Sequence, residues 1–382
     1  MIGYRMPTRV HIAEGCRQRL PEVTNHLGIG RALLVIDPGL QATPWPDEIR
    51  RILADGGVET EVFTEVEPNP RTTTAARIGE QARDNDLAAV VTLGGGSAMD
   101  AGKAGAMLAT NPGTPETYEG PNRYTEPPLP MIALPTTCGT GSEVTWVSVL
   151  SHEASRRKIS VKGETMFPTQ ALIDADLIAT LPSSLIAWTG LDALTHAVEG
   201  TTCTLANPVS DTLCEKAIVL LFTYLERAAA DVGSDTEARE AVMRASTIAG
   251  LGFGNADVAG VHCLSESLGG LYDVPHGLAN AILLAPLMRY HRPHIEQRLA
   301  ELDALIHPEI DPRTPAAHRA DHFVDRLDAL TRRLETPAFS SFEIPASDHS
   351  LIADLAVRNG SNPSNPQPMT AASYLEVLEG LS

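Results

Sequence analysis

The chain has 382 residues, a formal net charge of −19, and ordinary fractions of hydrophobic (43%) and charged (20%) residues. Its length is sufficient for two buried cores, so we expect two domains. A nucleic-acid-binding protein needs a basic face to hold phosphates, so the acidic balance excludes nucleic acid as a partner. The same charge argues against attachment to an anionic membrane surface.

The spacing of the cysteines and the length of the hydrophobic runs indicate the cellular compartment of the protein. The five cysteines form neither a CxxC pair nor a regular framework, which is typical of reduced thiols inside a cell. The first residues lack the apolar segment of a signal peptide, and no run approaches the roughly eighteen apolar residues of a membrane span. We therefore expect a cytoplasmic protein without a membrane-spanning segment.

The first half of the chain alternates short apolar runs with helical patterns. Four apolar runs predict strands, at residues 32–36, 58–63, 87–93 and 131–134. Residues 72–85 and 100–109 have helical spacing. Buried strands that alternate with helices predict a parallel sheet covered on both faces.

The second half of the chain changes in character. Helical periodicity dominates there, at residues 185–200, 211–230, 237–251, 278–291, 318–333 and 370–381. Strand patterns largely stop. We predict an α/β domain over residues 1–180 and an all-α domain over residues 181–382.

A glycine-rich loop connects the third predicted strand to the following helix. It consists of Gly94, Gly95, Gly96 and Ser97. Glycine lets the backbone approach a ligand, and a helix N-terminus offers N–H groups and a positive dipole end, so this loop suits a phosphate. It matches neither the P-loop pattern nor GxGxxG, because Met99 replaces the last glycine of the latter. The alternative is a tight turn in which Ser97 and Asp100 form a capping pair.

Two further features favour a dinucleotide. A second glycine-rich turn, at residues 136–143, follows the fourth predicted strand. Asp37 ends the first predicted strand, where a carboxylate can accept a hydrogen bond from a ribose 2′-hydroxyl and would repel a 2′-phosphate. We therefore expect NAD rather than NADP, although Asp37 alone is equally compatible with a turn or a helix cap.

Two segments carry side chains with metal-ligand chemistry. Asp192 and His196 are four residues apart in an apolar helical pattern, so they share one face. Alone, such a pair is more often a surface hydrogen bond. His262 and His276 lie in a later segment, in which a glycine pair predicts a turn between two helices. Together, one oxygen and three nitrogen ligands suit Fe²⁺ or Zn²⁺ rather than Ca²⁺ or Mg²⁺.

Other histidines have no such pattern. Those in polar stretches are expected to be solvated; they are His26, His152, His307, His318, His322 and His349. We assign them no functional role.

Five motifs, by their order and spacing, resemble the iron-dependent (group III) alcohol dehydrogenase family over nearly the whole chain. They are PNP (68–70), GGGSAMDAGKA (94–104), PTTCGTGSE (135–143), GLDALTHAVE (190–199) and VHCLSESLGGLYDVPHG (261–277). The resemblance implies a dinucleotide-binding α/β domain, an all-helical C-terminal domain as in the dehydroquinate synthase-like fold, and a cleft that holds nicotinamide and metal. It also implies a homodimer.

The resemblance assigns roles to individual residues. The implied metal ligands are Asp192, His196, His262 and His276. The candidate cofactor-binding residues are Asp37, Asn69, Gly94, Gly95, Gly96, Ser97, Asp100, Thr136, Thr137, Ser142 and Lys158. Of these, Gly94 and Asp100 are included because of their position in the glycine-rich loop, and the resemblance implies the others. By its local sequence alone, Lys158 would pass as a surface lysine.

The implied activity is NAD(H)-linked interconversion of a small primary alcohol and its aldehyde, with Fe²⁺, or alternatively Zn²⁺, as a Lewis acid. One position departs from the family pattern. Many members carry a histidine four residues after the ligand His262, and Glu266 stands there instead. On a helix it shares a face with His262, so it can relay a proton, bind substrate or shape the pocket. We include Glu266 among the candidate catalytic residues.

Three alternatives stay open. The substrate can be anionic, as in maleylacetate or phosphonoacetaldehyde reductases, although the maleylacetate branch tends to lose the ligand that Asp192 supplies here. A dehydroquinate-synthase-like lyase would use NAD and metal. It would also need a cluster of basic residues, and the helical half of the chain has few paired basic residues near the candidate ligands. A metallohydrolase would not need the glycine loops.

Overall fold

The computed structural model of the chain describes residues 3–381. These residues form two compact units. The first, here the sheet unit, comprises Arg5–Leu181 and Val232–Thr247. The second, the helical unit, comprises Pro182–Asp231 and, of the described residues, also 3–4 and 248–381. Residues 232–247 lie in the second half of the sequence but belong to the sheet unit. The predicted domains, residues 1–180 and 181–382, do not include this exchange.

The sheet unit contains two sheets. Its strands are β1 (Arg9–Ile12), β2 (Arg31–Ile36), β3 (Glu59–Phe63), β4 (Ala89–Gly94), β5 (Gly120–Pro121), β6 (Met131–Pro135), β7 (Val147–His152), β8 (Arg157–Lys162) and β9 (Gln170–Ile173). Six of them form a sheet in the order β1-β9-β6-β4-β2-β3, in which every pairing is parallel. The others form a small sheet in the order β5-β8-β7.

Helices cover both faces of the large sheet. They are α1 (Leu20–Leu27), α2 (Trp45–Asp55), α3 (Thr72–Asp84) and α4 (Gly96–Thr110). Successive strand residues point to opposite faces. On β2, therefore, Leu34 and Ile36 pack with α1 and α2, and Leu33 and Val35 pack with α3 and α4. This double burial explains why the strands read as continuous apolar runs.

The helical unit is built from long helices. They are α5 (Ser183–Thr202), α6 (Pro208–Asp231), the last part of α7 (Thr236–Phe253), α8 (Gly260–Tyr272), α9 (His276–Ile306), α10 (Ala316–Arg333), α11 (His349–Arg358) and α12 (Ala371–Glu379). α9 contains two prolines and is interrupted by non-helical backbone at Ile295. Across the described residues, no helix is both long and apolar enough to cross a bilayer.

The structure departs from the predicted elements in several places. The four predicted strands are present, and β1, β5, β7, β8 and β9 were not predicted. The helices α1, α2 and α11 were not predicted either. The glycine pair after His262, Gly269 and Gly270, lies inside α8 instead of forming a turn. α4 begins at Gly96, so Ser97 and Asp100 lie within the helix and do not cap it.

Candidate active site

The carboxyl ends of three neighbouring strands carry the predicted cofactor loops. β2 ends before Asp37, β4 runs through Gly94 into Gly95, and β6 is followed by Thr136. β3 lies on one side of β2 and β4 on the other. The order in which strands are added to the sheet therefore reverses between β2 and β4. Ligands of open parallel sheets bind at such a switch point.

Two glycines of the first loop touch the second loop. A Cβ atom at Gly95 would lie 2.9 Å from Thr137 Cγ2, and one at Gly96 would lie 2.5 Å from Thr140 Cγ2. Only glycine therefore lets the loops come this close. Because α4 starts at Gly96, the N–H groups of its first turn and its positive dipole end lie at the same point. This arrangement fits the pyrophosphate of a dinucleotide.

Asp100 and Ser142 bind each other. Ser142 Oγ donates to Asp100 Oδ1 at 2.6 Å, and the N–H of Val149 donates to Asp100 Oδ2 at 2.9 Å. Nζ of the buried Lys103 donates to the Ser142 carbonyl at 3.0 Å. Burial lowers the pKa of Lys103, and the Asp100 carboxylate partly offsets this effect. These contacts hold the second loop and β7 against α4, so Asp100 and Ser142 shape the loops.

Asn69 and Lys158, distant in sequence, lie in contact. Lys158 Nζ donates to Asn69 Oδ1 at 2.8 Å. Asn69 has φ of 55°, a left-handed conformation that asparagine tolerates better than most residues. A parallel bridge between Arg71 and Ser151 joins the same loop to β7. The unpredicted β7–β8 hairpin thus positions Lys158.

Asp37 lies beside the first glycine loop. Its N–H donates to the Leu93 carbonyl at 2.9 Å, and a Cβ at Gly94 would lie 2.9 Å from Asp37 Cβ. Its carboxylate accepts a hydrogen bond from the N–H of Gly39 at 2.8 Å and caps a short 3₁₀ helix. Asp37 therefore both forms a turn and lies at the carboxyl end of β2, beside the glycine loop.

The four predicted metal ligands come together in the helical unit. Asp192 and His196 lie on α5, His262 lies on α8, and His276 is the first residue of α9. One ligand atom from each lies within 4.8 Å of the others, and the first three residues are buried. A buried carboxylate beside three imidazoles requires a compensating positive charge. This donor set fits Fe²⁺ or Zn²⁺, and four protein ligands do not complete a six-coordinate shell around Fe²⁺.

His276 reaches the cluster because α9 begins directly against α5. A Cβ at Gly277 would lie 2.7 Å from the carbonyl oxygen of Trp188. Glycine is required at this contact, since a Cβ so close to backbone would force the helices apart. Nε2 of His276 lies 3.7 Å from Asp192 Oδ1 as a result.

Glu199 orients His262. Its Oε2 atom lies 2.6 Å from Nδ1 of His262, and the carboxylate also accepts the N–H groups of Ala259 and Val261, at 3.0 and 2.7 Å. With Nδ1 donating to Glu199, Nε2 carries the lone pair, as in metal-binding histidines held by a carboxylate. Burial opposes protonation of His262, but the hydrogen bond and charge of Glu199 outweigh it and raise the pKa.

Asn280 touches three of the four ligands. Its Nδ2 atom donates to Asp192 Oδ1 at 2.6 Å and lies 3.1 and 3.2 Å from Nε2 of His262 and of His276. The side chain is fully buried. Asn280 therefore helps to hold the ligand side chains in place.

Glu266 lies one turn after His262 on α8. Asn359 Nδ2 donates to Glu266 Oε2 at 2.6 Å, so the carboxylate is held in one position. Its charge contributes to the raised pKa of His262. A fixed negative charge therefore acts on the ligand cluster from this side.

Comparison with known proteins identifies the family. The family model for iron-containing alcohol dehydrogenase matches residues 7–175, and the model for the C-terminal domain of the same family matches residues 186–381. The chain belongs to the iron-containing alcohol dehydrogenase family. The predicted family, fold class and alcohol dehydrogenase class are thereby confirmed.

Three relatives of this alcohol dehydrogenase are informative. The 1,3-propanediol dehydrogenase of Citrobacter freundii is 36% identical over 99% of this chain and 98% of its own length. A crystal structure of a 1,3-propanediol oxidoreductase is 32% identical, covers 100% of both chains and has a TM-score of 0.96. The sulfoacetaldehyde reductase of Bifidobacterium kashiwanohense, solved with NAD⁺, is 28% identical over 100% of this chain and 98% of its own, with a TM-score of 0.89.

Sequence reasoning missed two residues of this alcohol dehydrogenase site. Glu199 lies seven residues after Asp192 in an apolar helix, and that spacing, which returns to the same face, could have found it. Asn280 gave no comparable signal, because an asparagine near the start of a predicted helix is compatible with many roles.

Proposed function

We propose that this enzyme interconverts a small, uncharged primary alcohol or diol and its aldehyde, with NAD(H) and Fe²⁺. NAD(H) and iron were the predicted cofactors; iron is named in the matching family model, and the sulfoacetaldehyde reductase relative was solved with NAD⁺. The observation that carries the proposal is the Asp192, His196, His262 and His276 cluster, in a chain that also has glycine loops at a sheet switch point.

The chain's own residues provide binding and orientation. Gly95, Gly96 and the N-terminus of α4 would bind the pyrophosphate, and Asp37 would accept a hydrogen bond from the ribose. When bound, NAD supplies the hydride acceptor, C4 of its nicotinamide ring. Asn69 and Lys158 are joined by a hydrogen bond of 2.8 Å from Nζ to Oδ1, and they complete the proposed cofactor site.

The ligand cluster holds the metal, and its supports fix the geometry. Glu199 keeps the Nε2 lone pair of His262 available, and Asn280 steadies Asp192. When bound, Fe²⁺ would supply Lewis acidity, which stabilises negative charge on an alcohol oxygen. Preorganised ligands avoid a reorganisation cost during the reaction.

Glu266 supports an uncharged substrate. Its carboxylate is held by Asn359 one turn from His262, and a like charge near the substrate costs binding energy. The propanediol relatives act on neutral diols, according to their names. Reduction of an anionic aldehyde is the second candidate, since the sulfoacetaldehyde reductase covers the whole chain.

NADH absorbance tests the proposal. The iron-loaded enzyme is assayed with short alcohols, diols and aldehydes, and with sulfoacetaldehyde as the anionic member of the panel. We expect kcat/KM for 1,3-propanediol or a short neutral aldehyde to exceed that for sulfoacetaldehyde by at least about tenfold, the equivalent of one modest charge repulsion. A preference for sulfoacetaldehyde would establish the second candidate instead.

Two variants locate the cause. Glu266→Gln should reduce the preference for neutral substrates, whereas Glu376→Gln, at an exposed position of α12, should leave it unchanged. His276→Ala should abolish turnover while NAD binding, followed by NADH fluorescence, persists. Undiminished turnover after removal of metal by a chelator would contradict the proposed chemistry. The homodimer and the cytoplasmic location remain predictions from the sequence.

A further inference from the structure

A second group of metal-binding side chains lies in the helical unit. Asp303 is on the last turns of α9, His307 directly follows that helix, and His322 is on α10. One ligand atom from each lies within 4.8 Å of the others. The sequence predicted His307 and His322 to be solvated, and both side chains are partly exposed, 26% and 41% respectively. The packing of α9 against α10 also brings both beside a buried carboxylate. None of these residues belongs to the first cluster.

Ordinary hydrogen bonding accounts for only part of this group. His322 Nδ1 lies 2.8 Å from Asp303 Oδ1. Asp303 is fully buried, yet its other oxygen, Oδ2, has no hydrogen-bond partner in the described part of the chain. Nδ1 of His307 is also buried and without a partner there. A buried carboxylate oxygen left without a donor is costly, and a cation would satisfy it.

The two histidines are arranged as ligands. Nε2 of His307 lies 3.1 Å from Oε1 of Glu309. Nδ1 of His307, which has no hydrogen-bond partner among the described residues, is the ring nitrogen that can face a cation. The ring centroids of His307 and His322 are 5.0 Å apart, so both imidazoles border the same space.

We propose that Asp303, His307 and His322 form a second metal site, which takes a divalent cation of the Zn²⁺ type. One carboxylate oxygen and two imidazole nitrogens suit Zn²⁺, Co²⁺ or Ni²⁺ and are a poor set for Mg²⁺ or Ca²⁺, which prefer oxygen ligands. Three protein ligands leave room for solvent in the shell. The site is independent of the proposed alcohol oxidation.

Equilibrium dialysis of the iron-loaded enzyme against Zn²⁺ tests the site. We expect one equivalent of zinc per chain while the iron content stays constant. Measuring iron in the same samples separates this binding from exchange at the first cluster. Asp303→Asn and His322→Gln should each abolish the zinc equivalent, and turnover of His322→Gln should equal that of the wild type.

His318→Gln is the matched control, because His318 is an exposed histidine on the same helix as His322. It should retain the zinc equivalent. Binding of no zinc by the wild type, or the same loss in His318→Gln as in His322→Gln, would overturn the proposal. His322 is 41% exposed in its side chain, so His322→Gln gives a reading even if Asp303→Asn does not fold.

Discussion

Oε2 of Glu199 lies 2.6 Å from Nδ1 of His262, and the same carboxylate accepts two backbone N–H groups at the start of α8. Glu199 is on α5 with the ligands Asp192 and His196. One buried carboxylate therefore fixes both the tautomer of a third ligand and the position of its helix.

Glu199→Gln should weaken iron binding by about 10- to 100-fold, the usual effect of losing a carboxylate behind a metal-binding histidine. The amide retains the shape of the side chain but not its charge, so circular dichroism should show an intact fold. Iron content after dialysis against a graded chelator measures the effect. Glu376→Gln provides the control, and equal iron retention in both variants would refute a positioning role for Glu199.

Gly96→Ala should raise KM for NAD by about tenfold or more without changing iron content. Its Cβ would fall 2.5 Å from Thr140 Cγ2, which pushes apart the two loops that bind the pyrophosphate. Gly30→Ala is the control, because a Cβ there meets no atom within 4 Å.

A second-site change sharpens the Gly96 experiment. Thr140→Ser removes the Cγ2 atom and retains the hydroxyl that accepts the N–H of Ser142 at 3.3 Å. It should therefore restore part of the NAD affinity in the double variant, which is a coupling that distant sites do not show. Additive losses would mean that the steric explanation is wrong.

Asp37→Ser should lower the ratio of kcat/KM for NAD to that for NADP by about tenfold or more, since one repulsive charge against a 2′-phosphate is removed. Serine can still accept the hydrogen bond from Gly39 that caps the short helix. Steady-state kinetics with both cofactors measures the ratio. Asp55→Ser, at an exposed position, should leave it unaltered; an unaltered ratio in Asp37→Ser would remove Asp37 from the cofactor site.

His291 should make the protein sensitive to acid. It is fully buried on α9, and burial lowers its pKa from 6.5 to about 4. The folded state therefore keeps His291 neutral while the unfolded chain gains a proton below pH 6.5. Its contribution to stability is complete above pH 6.5 and is lost as the pH falls towards 4, by about 3 kcal/mol in all.

Urea unfolding at pH 7, 6 and 5 checks this prediction with His291→Gln. The variant should lose less of its free energy of unfolding between pH 7 and 5 than the wild type. Since the metal ligands titrate in both proteins, their contribution cancels in the difference. The exposed neighbour His294 supplies the control variant, and parallel pH profiles for wild type and His291→Gln would contradict the assignment.

Much of the fold followed from local pattern. The strand at residues 131–134 and the helix at 318–333 correspond to β6 and α10 with small changes at their ends, because continuous burial and 3.6-residue periodicity leave a direct record in sequence. β1, β7, β8 and β9 were missed. β1 and β9 have four residues each and depend for their stability on a partner more than 150 residues away. β7 and β8 pair in a local hairpin, but polar residues interrupt both sequences, so neither forms a continuous apolar run.

The sequence by itself determined the family, the two kinds of architecture and the residue types able to bind metal and dinucleotide. These properties depend on short motifs and periodicity, which are local. Only the tertiary structure showed that Glu199 binds His262 and that Lys158 donates a hydrogen bond to Asn69. It also showed that Asp303, His307 and His322 lie close together. Glu199 and His262 lie 63 positions apart, Asn69 and Lys158 lie 89 apart, and Asp303 and His322 lie 19 apart. The packing of helices and strands, which no local pattern specifies, brings these side chains within reach.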